Sequence, residues 1–313
     1  MKKFAALDLG SNTFLCLLGE GEGGNILKVH KDLVELVRLG EGLSKNKKFS
    51  EPALLRARQA LEAFNKEIEV YGPDSILAMA TAAARDAENK LDLEKICMDL
   101  KIPLRIISGG EEARLTYQGA LSGVGQNSSA ENINKRYIVI DIGGRSTELC
   151  LGRGARFEKG KSIFLGAVEL TEEHSLQASR SSRDLVRARE DIQVRLRKGF
   201  GDDENFIGEE PPSEVIAVAG TPTALAQMFV GFFDADRIDG LRINRSDLEK
   251  KIEEILDQGP ENISRKYNIP PRRSDVLLAG ALILYEIMVF LCAKELKVST
   301  KGIRYGIAMD ISR

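Results

Sequence analysis

The sequence predicts an α/β protein built as two similar halves, and three observations carry that prediction. Two apolar strands end in the same kind of turn: FAALDLGSNT brings Asp8, Gly10, Ser11, Asn12 and Thr13, and YIVIDIGGRST brings Asp141, Gly143, Gly144, Arg145, Ser146 and Thr147. Each copy leads into a β-rich run that is broken by a Gly-containing turn and ends in Leu-Gly, as FLCLLGEGEGGNILKVHKDLVELVRLGEGL and ELCLGRGARFEKGKSIFLGAVELTE. Such alternation with tight turns gives a meander after each Asp-bearing strand. Helices then alternate with strands, so each half reads as βββαβαβα.

In the first half, Glu51–Tyr71 carries apolar residues at helical spacing behind Ser50, with Pro52 in its first turn. SILAMAT follows as a short strand, Ala82 opens a helix, LRIIS is a strand and Gly110–Leu121 is a helix. The second half offers a helix near Ser182–Lys198, the strand EVIAVAG and a helix opening with Thr221 and Pro222. Polar Gly/Asn/Ser-rich residues at 123–136 suggest a linker, and 201–213 a second loop. The domains expected are 1–124 and 137–313, joined by a linker at 125–136, with the last helix, about 299–313, a candidate to return to the first domain. Val276–Ala293 is an apolar run of 18 residues interrupted by Glu286. A span needs about 20 such residues, so a buried core helix is expected.

A chain of 313 residues with 43% apolar content is long enough for about two domains with cores of their own. Forty-five basic against 47 acidic residues give a net charge of −2, which supplies no global field for nucleic acid or a membrane surface. Any anion site must be local. Cys16, Cys97, Cys150 and Cys292 stand far apart, a pattern of reduced thiols that argues against zinc. The N-terminal apolar stretch is cut by Asp8, too early for a signal peptide, so a cytoplasmic protein is expected.

An Asp-aliphatic-Gly turn followed by Ser, Asn or Thr can hold Mg²⁺ through its carboxylate and phosphate through its N–H groups and hydroxyls. Singly, each copy is explained as well by a tight turn with a capping Asp. Two copies heading matched halves favour a phosphate site.

Only His30 and His174 exist, and neither stands among these motifs, so a carboxylate must act as base. In ISGGEEARLTY, Ser108 and Glu111 have capping-box spacing, which would occupy Glu111 with the backbone and leave Glu112 free. Spacing alone leaves Glu112 either a first-turn acid stabilised by the helix dipole or a catalytic base. Arg85 either pairs locally with Asp86 or Glu88 or reaches toward a ligand. GTPTALA, at 220–226, is a small-residue helix start suited equally to packing and to ligand contact. The clusters Lys45/Lys47/Lys48, Arg265/Lys266 and Arg272/Arg273 read first as solvated faces.

Taken in order, DLGSNT, ATAAAR, ISGGEEARLTYQG, DIGGRSTEL, LGAVELTE, GTPTALA, SDVLLAGALIL and VSTKGIRYGI resemble the exopolyphosphatase/guanosine pentaphosphate phosphohydrolase family of the actin-like ATPase superfamily. The resemblance implies two actin-like (ribonuclease H-like) domains with a cleft between them and Mg²⁺-dependent hydrolysis of a terminal phosphoanhydride. It implies Glu112 as the residue that activates water, with Arg85 balancing charge on the transferred group and Glu148 assisting at metal or water. Asp141 would hold the metal, faced by Asp8. Ser11, Asn12, Thr13, Gly143, Gly144 and Ser146 would cradle phosphate.

Two departures stand out. The family block reads DIGGGSTE, and here Arg145 replaces its third glycine. Its side chain could contact substrate phosphate, turn outward to an acid such as Glu148 or to the surface, or block the site. The sequence also ends at Arg313, before the helical extension of long family members, which suggests a short form with a preference for short substrates. The leading expectation is release of orthophosphate from polyphosphate. Removal of the 5′ γ-phosphate of guanosine pentaphosphate, a weak sensor and a sugar-kinase-like activity are the alternatives, and a homodimer is the commonest assembly to expect.

Overall fold

The computed structural model describes residues 1–122, 134–177, 181–201, 206–208, 210 and 212–313. The chain forms two compact units, one of Met1–Gln126 with Gly302–Arg313 and one of Asn127–Lys301. The expected linker falls largely outside the described residues, although Arg136 already belongs to a strand, and the loop at 201–213 does so in part.

The first unit holds a five-stranded sheet. Its meander is β1 (Lys2–Leu9), β2 (Thr13–Glu22) and β3 (Asn25–Leu36), and β4 (Ser75–Ala80) and β5 (Leu104–Ile106) add on the other side of β1. The spatial order is β3-β2-β1-β4-β5, with β4 parallel to β1 and β5 parallel to β4. β1 is central, and Phe4–Leu9 is buried throughout, as a strand covered on both faces requires. Period-two alternation sorts its side chains. Ala5, Leu7 and Leu9 join the core with Phe64, and Phe4 and Ala6 join the core with Leu115 and Ile307. Asp8 shares the second face.

Helices of this unit include α1 (Glu51–Tyr71), α2 (Ala82–Asp86), α3 (Lys90–Asp99) and α4 (Gly109–Ala120). In α1 the Ser50 hydroxyl caps Ala53 N–H, Pro52 fits the first turn, and Gly72 ends the helix at φ 62°. The helix opening at Ala82 stops sooner than its pattern suggests. Ala87 turns extended, and Asn89 uses its side chain on both backbone groups of Phe49 at 2.8 and 3.2 Å. A distant tie of this kind overrides local propensity.

The second unit repeats the plan with six strands in the order β10-β11-β9-β6-β7-β8. β6 (Arg136–Ile142), β7 (Thr147–Arg153) and β8 (Arg156–Ile163) form the meander, β9 (Glu214–Val218) and β11 (Glu295–Val298) extend it in parallel, and β10 (Arg242–Asn244) closes it antiparallel. Its longer helices are α5 (Ala167–Glu173), α6 (Ser182–Leu196), α7 (Gly220–Val230), α8 (Arg245–Tyr267) and α9 (Leu277–Phe290). α8 kinks at Gly259, φ 75°, just before Pro260. α9 is the apolar run noted in the sequence. It is a core helix whose Glu286, 4% exposed, takes Gln193 Nε2 at 2.9 Å and faces Arg189 Nε at 3.4 Å. Among the described residues no helix is long and apolar enough to cross a membrane.

The C-terminal helix, Ile303–Ile311, lies against α4 in the first unit. Backbones meet there: a methyl on Gly306 would sit 2.1 Å from the Leu115 carbonyl oxygen, and one on Gly119 would sit 2.0 Å from that of Gly302. Arg114–Asp310 at 2.7 Å and the forked Arg304–Asp32 pair at 2.7 and 2.6 Å fix the helix further. Gly306→Ala gains about 1 kcal/mol of helix propensity and meets rigid backbone rather than a yielding side chain. Overpacking of about 1–3 kcal/mol or more outweighs the gain, so urea unfolding is expected to show a net loss of stability.

Candidate active site

In the first unit the turn after β1 is closed by Gly10 N–H on the Thr13 carbonyl at 3.1 Å. The carbonyls inside it are tied from behind. Ser11 O accepts from Gly40 N at 2.8 Å, and Asn12 O accepts from Val37 N at 3.1 Å and Arg38 N at 2.8 Å. A trans peptide sets N–H opposite C=O, so the N–H groups of Asn12 and Thr13 point away from this support. Asn12 Oδ1 is buried with no hydrogen-bond partner among the described residues. Asp8, 8% exposed, stands just before the turn.

α4 brings the acid. The Ser108 hydroxyl caps Glu111 N–H at 3.2 Å, half of the expected capping box. The other half is not seen: the Glu111 side chain takes Arg105 Nη2 at 3.0 Å, near solvent. Glu112 points the other way and is 7% exposed. It is not free as its spacing suggested. Arg85, projecting from α2, donates to Glu112 Oε2 at 2.6 Å and to the Ile107 carbonyl at 3.0 Å. The local pairing of Arg85 with Asp86 or Glu88 thus gives way to a contact 27 residues distant in the chain. Burial raises the Glu112 carboxyl above its ordinary value, while the charge and hydrogen bond of Arg85 and a hydrogen bond from Thr81 pull it down without cancelling the rise.

The second unit presents the matching turn. Gly143 N–H closes on the Ser146 carbonyl at 2.9 Å. Its carbonyls are held by the amides that open α5: Gly143 O by Ala167 N at 3.0 Å, and Gly144 O by Val168 N at 2.9 Å and Glu169 N at 3.1 Å. The N–H groups of Gly144 and Arg145 therefore face away from α5. Gly166 makes the seat possible, because a methyl there would sit 2.2 Å from Arg145 N. Asp141 on β6 pairs in register with Glu148 on β7. Cross-strand partners share a face with Cβ atoms about 5 Å apart. Glu148, 1% exposed, accepts from Ser162 Oγ at 2.6 Å.

Arg145 pairs with an acid, one of the dispositions that the sequence left open for it. Its φ is outside the left-handed region, so the turn does not demand glycine there. Its side chain is 2% exposed and donates to Glu169 Oε2 at 2.9 Å, with the guanidinium carbon 4.9 Å from the Phe164 ring centroid. An acid it meets is Glu169, and the side chain is buried rather than on the surface.

Thr81, Ser162, Glu169 and Arg273 were not singled out from sequence. Arg273 stood only in a basic cluster. Here it lies beside Gly220 at the start of α7, where a methyl on Gly220 would come within 3.6 Å of Arg273 Nε. That Nε is buried with no hydrogen-bond partner among the described residues, and burial alone lowers the Arg273 pKa. The preceding Ala219 holds φ 79° and ψ −168°, a conformation costing about 1–3 kcal/mol. Thr221 in the GTPTALA segment seats against Gly280 of α9, where a methyl would lie 2.2 Å from its Oγ1.

Other charged groups have ordinary explanations. His30 stacks on Tyr71 at 4.9 Å, and His174 meets Asp191 at 3.0 Å. Glu173, His174 and Asp191 lie close enough together to suggest a metal site, but Arg195 pairs with both acids, which makes an ion-pair network. Lys48 pairs with Glu88, Arg265 with Glu261 and Lys266 with Glu254. The Cys16 and Cys97 thiols are pushed up to about 12 by burial first.

Two α/β units, each with an acid-headed phosphate-type turn, define a protein of actin-like fold, and comparison with known proteins names the family. Residues 20–313 match the Ppx/GppA phosphatase family. The chain is 31% identical over 298 residues to a bifunctional 3-dehydroquinate synthase/phosphatase of Fusobacterium nucleatum, covering 91% of this chain and 43% of that relative's length. It is 29% identical over 335 residues to exopolyphosphatase 2 of Mycobacterium tuberculosis, covering 100% of this chain and 99% of the relative. A solved exopolyphosphatase-like protein superposes with a TM-score of 0.89 at 25% identity, covering 99% and 97% of the two chains. An exopolyphosphatase from Cytophaga hutchinsonii gives 0.85 at 18% identity over 99% of each chain and shares the fold. The chain belongs to the Ppx/GppA phosphatase family, a family of phosphoanhydride hydrolases.

The Arg85–Glu112 contact makes a direct prediction. Arg85→Met removes the group that holds the Glu112 carboxyl down against burial. A carboxyl ¹³C NMR titration is expected to place Glu112 higher in the variant than in the wild type; an unchanged midpoint would show that Arg85 does not tune it.

Proposed function

We propose that this chain hydrolyses the terminal phosphoanhydride bond of inorganic polyphosphate and releases orthophosphate. The observation that supports this most is Glu112: a buried carboxyl at a helix start, oriented by Arg85 at 2.6 Å and raised above the ordinary carboxylate range. A base of that kind suits proton transfer near neutral pH. Glu112 would take a proton from water as the water oxygen attacks the terminal phosphorus. The anhydride P–O bond then breaks and its electron pair leaves with the shortened chain.

Phosphoryl transfer needs positioning and charge stabilisation more than covalent catalysis. Ser11, Asn12 and Thr13 in the first unit, and Gly143, Gly144 and Ser146 in the second, would offer N–H groups and hydroxyls to phosphate oxygens. Asp141 and Glu148, paired in register on one sheet face, present the hard oxygen donors that Mg²⁺ takes. They would hold the ion in the second unit, and Asp8 would be the acid of the first. Bound Mg²⁺ would neutralise charge on the phosphoryl oxygens. Arg273 would take a further phosphate oxygen beside α7, which fits a buried guanidinium whose Nε has no partner among the described residues.

Orthophosphate release with Mg²⁺ from tripolyphosphate, long polyphosphate, guanosine pentaphosphate and ATP tests the reading. Activity on the nucleotides alone would redirect it. Glu112→Gln is expected to lower kcat by about 10²–10⁴ and leave tripolyphosphate binding intact. Glu111→Gln should lose only an exposed ion pair of about 0–1 kcal/mol, with kcat unchanged. Because the base must be ionised, wild-type kcat/KM should fall as pH drops through a midpoint above the ordinary carboxylate value; a limb at that ordinary value would contradict the assignment.

Arg273→Met separates binding from stability. Loss of a charge-assisted bond worth about 1.5–3 kcal/mol should weaken tripolyphosphate about tenfold or more, while removal of a buried charge should raise Tm. Unchanged affinity by calorimetry would remove Arg273 from the site.

A further inference from the structure

The turn Gly143–Ser146 rests on one short segment, Leu165–Glu169, and Arg145 supplies part of the hold. Glu169 grips two consecutive residues: its N–H reaches the Gly144 carbonyl at 3.1 Å, and its carboxylate takes Arg145 Nη1 at 2.9 Å. The guanidinium also lies over Phe164 at 4.9 Å. Both charged side chains are 2% exposed. Burying an ion pair gives up the hydration of two charges, and apolar replacements of similar volume are often as stable or more so. Stability is therefore a poor reason for this pair. Its place, directly behind two peptide groups whose N–H groups face the other way, suggests a reason in geometry.

We propose that Arg145 is a positioning residue for the phosphate turn. Anchored by Glu169 and Phe164, it fixes the Gly143–Gly144 and Gly144–Arg145 peptides so that their N–H groups meet a phosphate oxyanion, and its own guanidinium does not touch substrate. This rests on the phosphate-binding reading of the preceding subsection. Oxyanion donors act only when held at the position where charge resides, and a displacement of about 1 Å costs as much as 10²-fold in rate.

The test compares wild type, Glu169→Gln and the double variant R145M/E169L for tripolyphosphate binding, orthophosphate release and thermal unfolding. Glu169→Gln keeps the size of the side chain and loosens the anchor. It is expected to weaken binding and kcat/KM about tenfold. R145M/E169L fills the same space without charge and should recover most of both losses.

A guanidinium that contacts substrate behaves oppositely: Glu169→Gln would free it and hold or tighten binding, and the double variant would lose affinity. That result overturns the proposal. So does a folded double variant as weak as Glu169→Gln, or a fall in Tm with binding unchanged. Wild-type protein that binds tripolyphosphate without releasing orthophosphate would end the hydrolase reading and leave the variants to decide this one by binding. Wild-type protein that does neither overturns both.

Discussion

A peptide group cannot turn its carbonyl one way without turning its N–H the other, and both Asp-headed turns are built on that constraint. In the first unit the carbonyls of Ser11 and Asn12 are taken by amides of Val37, Arg38 and Gly40; in the second, those of Gly143 and Gly144 are taken by amides opening α5. The supporting segments are the Leu-Gly stretches that end each meander. β1 and β6 deliver the turns, the meander returns to brace them, and the bracing leaves a row of donors directed outward. The close seat at Gly166 and the closures at Gly10 and Gly143 follow from the same requirement for backbone approach.

Charge is buried at several points of the two units. Glu112 is held ionisable against desolvation by Arg85, and Arg145 and Glu169 neutralise each other. Arg273 is largely buried beside α7, its Nε without a partner among the described residues, next to a strained Ala219. Each costs folding free energy that the apolar cores of the two units must offset. Strain and perturbed ionisation gathered near short turns mark functional surfaces more often than structural ones. The ion pairs elsewhere, such as Lys48–Glu88 and Arg265–Glu261, lie at the surface and contribute little.

The cores also explain how one helix face fixes a catalytic candidate. α4 carries Glu112 in its first turn and rests on the C-terminal helix through Gly119 and Gly306, with no side chain between the backbones. That contact leaves little freedom to slide. The arm from Gly302 onward thereby helps set where Glu112 stands, although it joins the first unit from the far end of the sequence.

Much of this was legible in the sequence because it is local. The two turns, the meanders behind them, the caps at Ser50 and Ser108 and the core helix around Glu286 are set by residues within a few positions of one another. Apolar period and turn chemistry determine such features before any tertiary contact exists. The pairings were not legible. Arg85 with Glu112, Arg145 with Glu169 and Asn89 with Phe49 join residues 27, 24 and 40 positions apart. Local spacing offered Arg85 a partner in Asp86 or Glu88 or a reach toward a ligand, gave Glu111 to the backbone, and left Arg145 between phosphate, an acid such as Glu148, the surface and a block. A long side chain chooses among partners by burial and distance, and both are created only when strands and helices assemble. The sequence by itself determined the repeated α/β plan and the turn chemistry, and the tertiary structure alone decided which charge meets which.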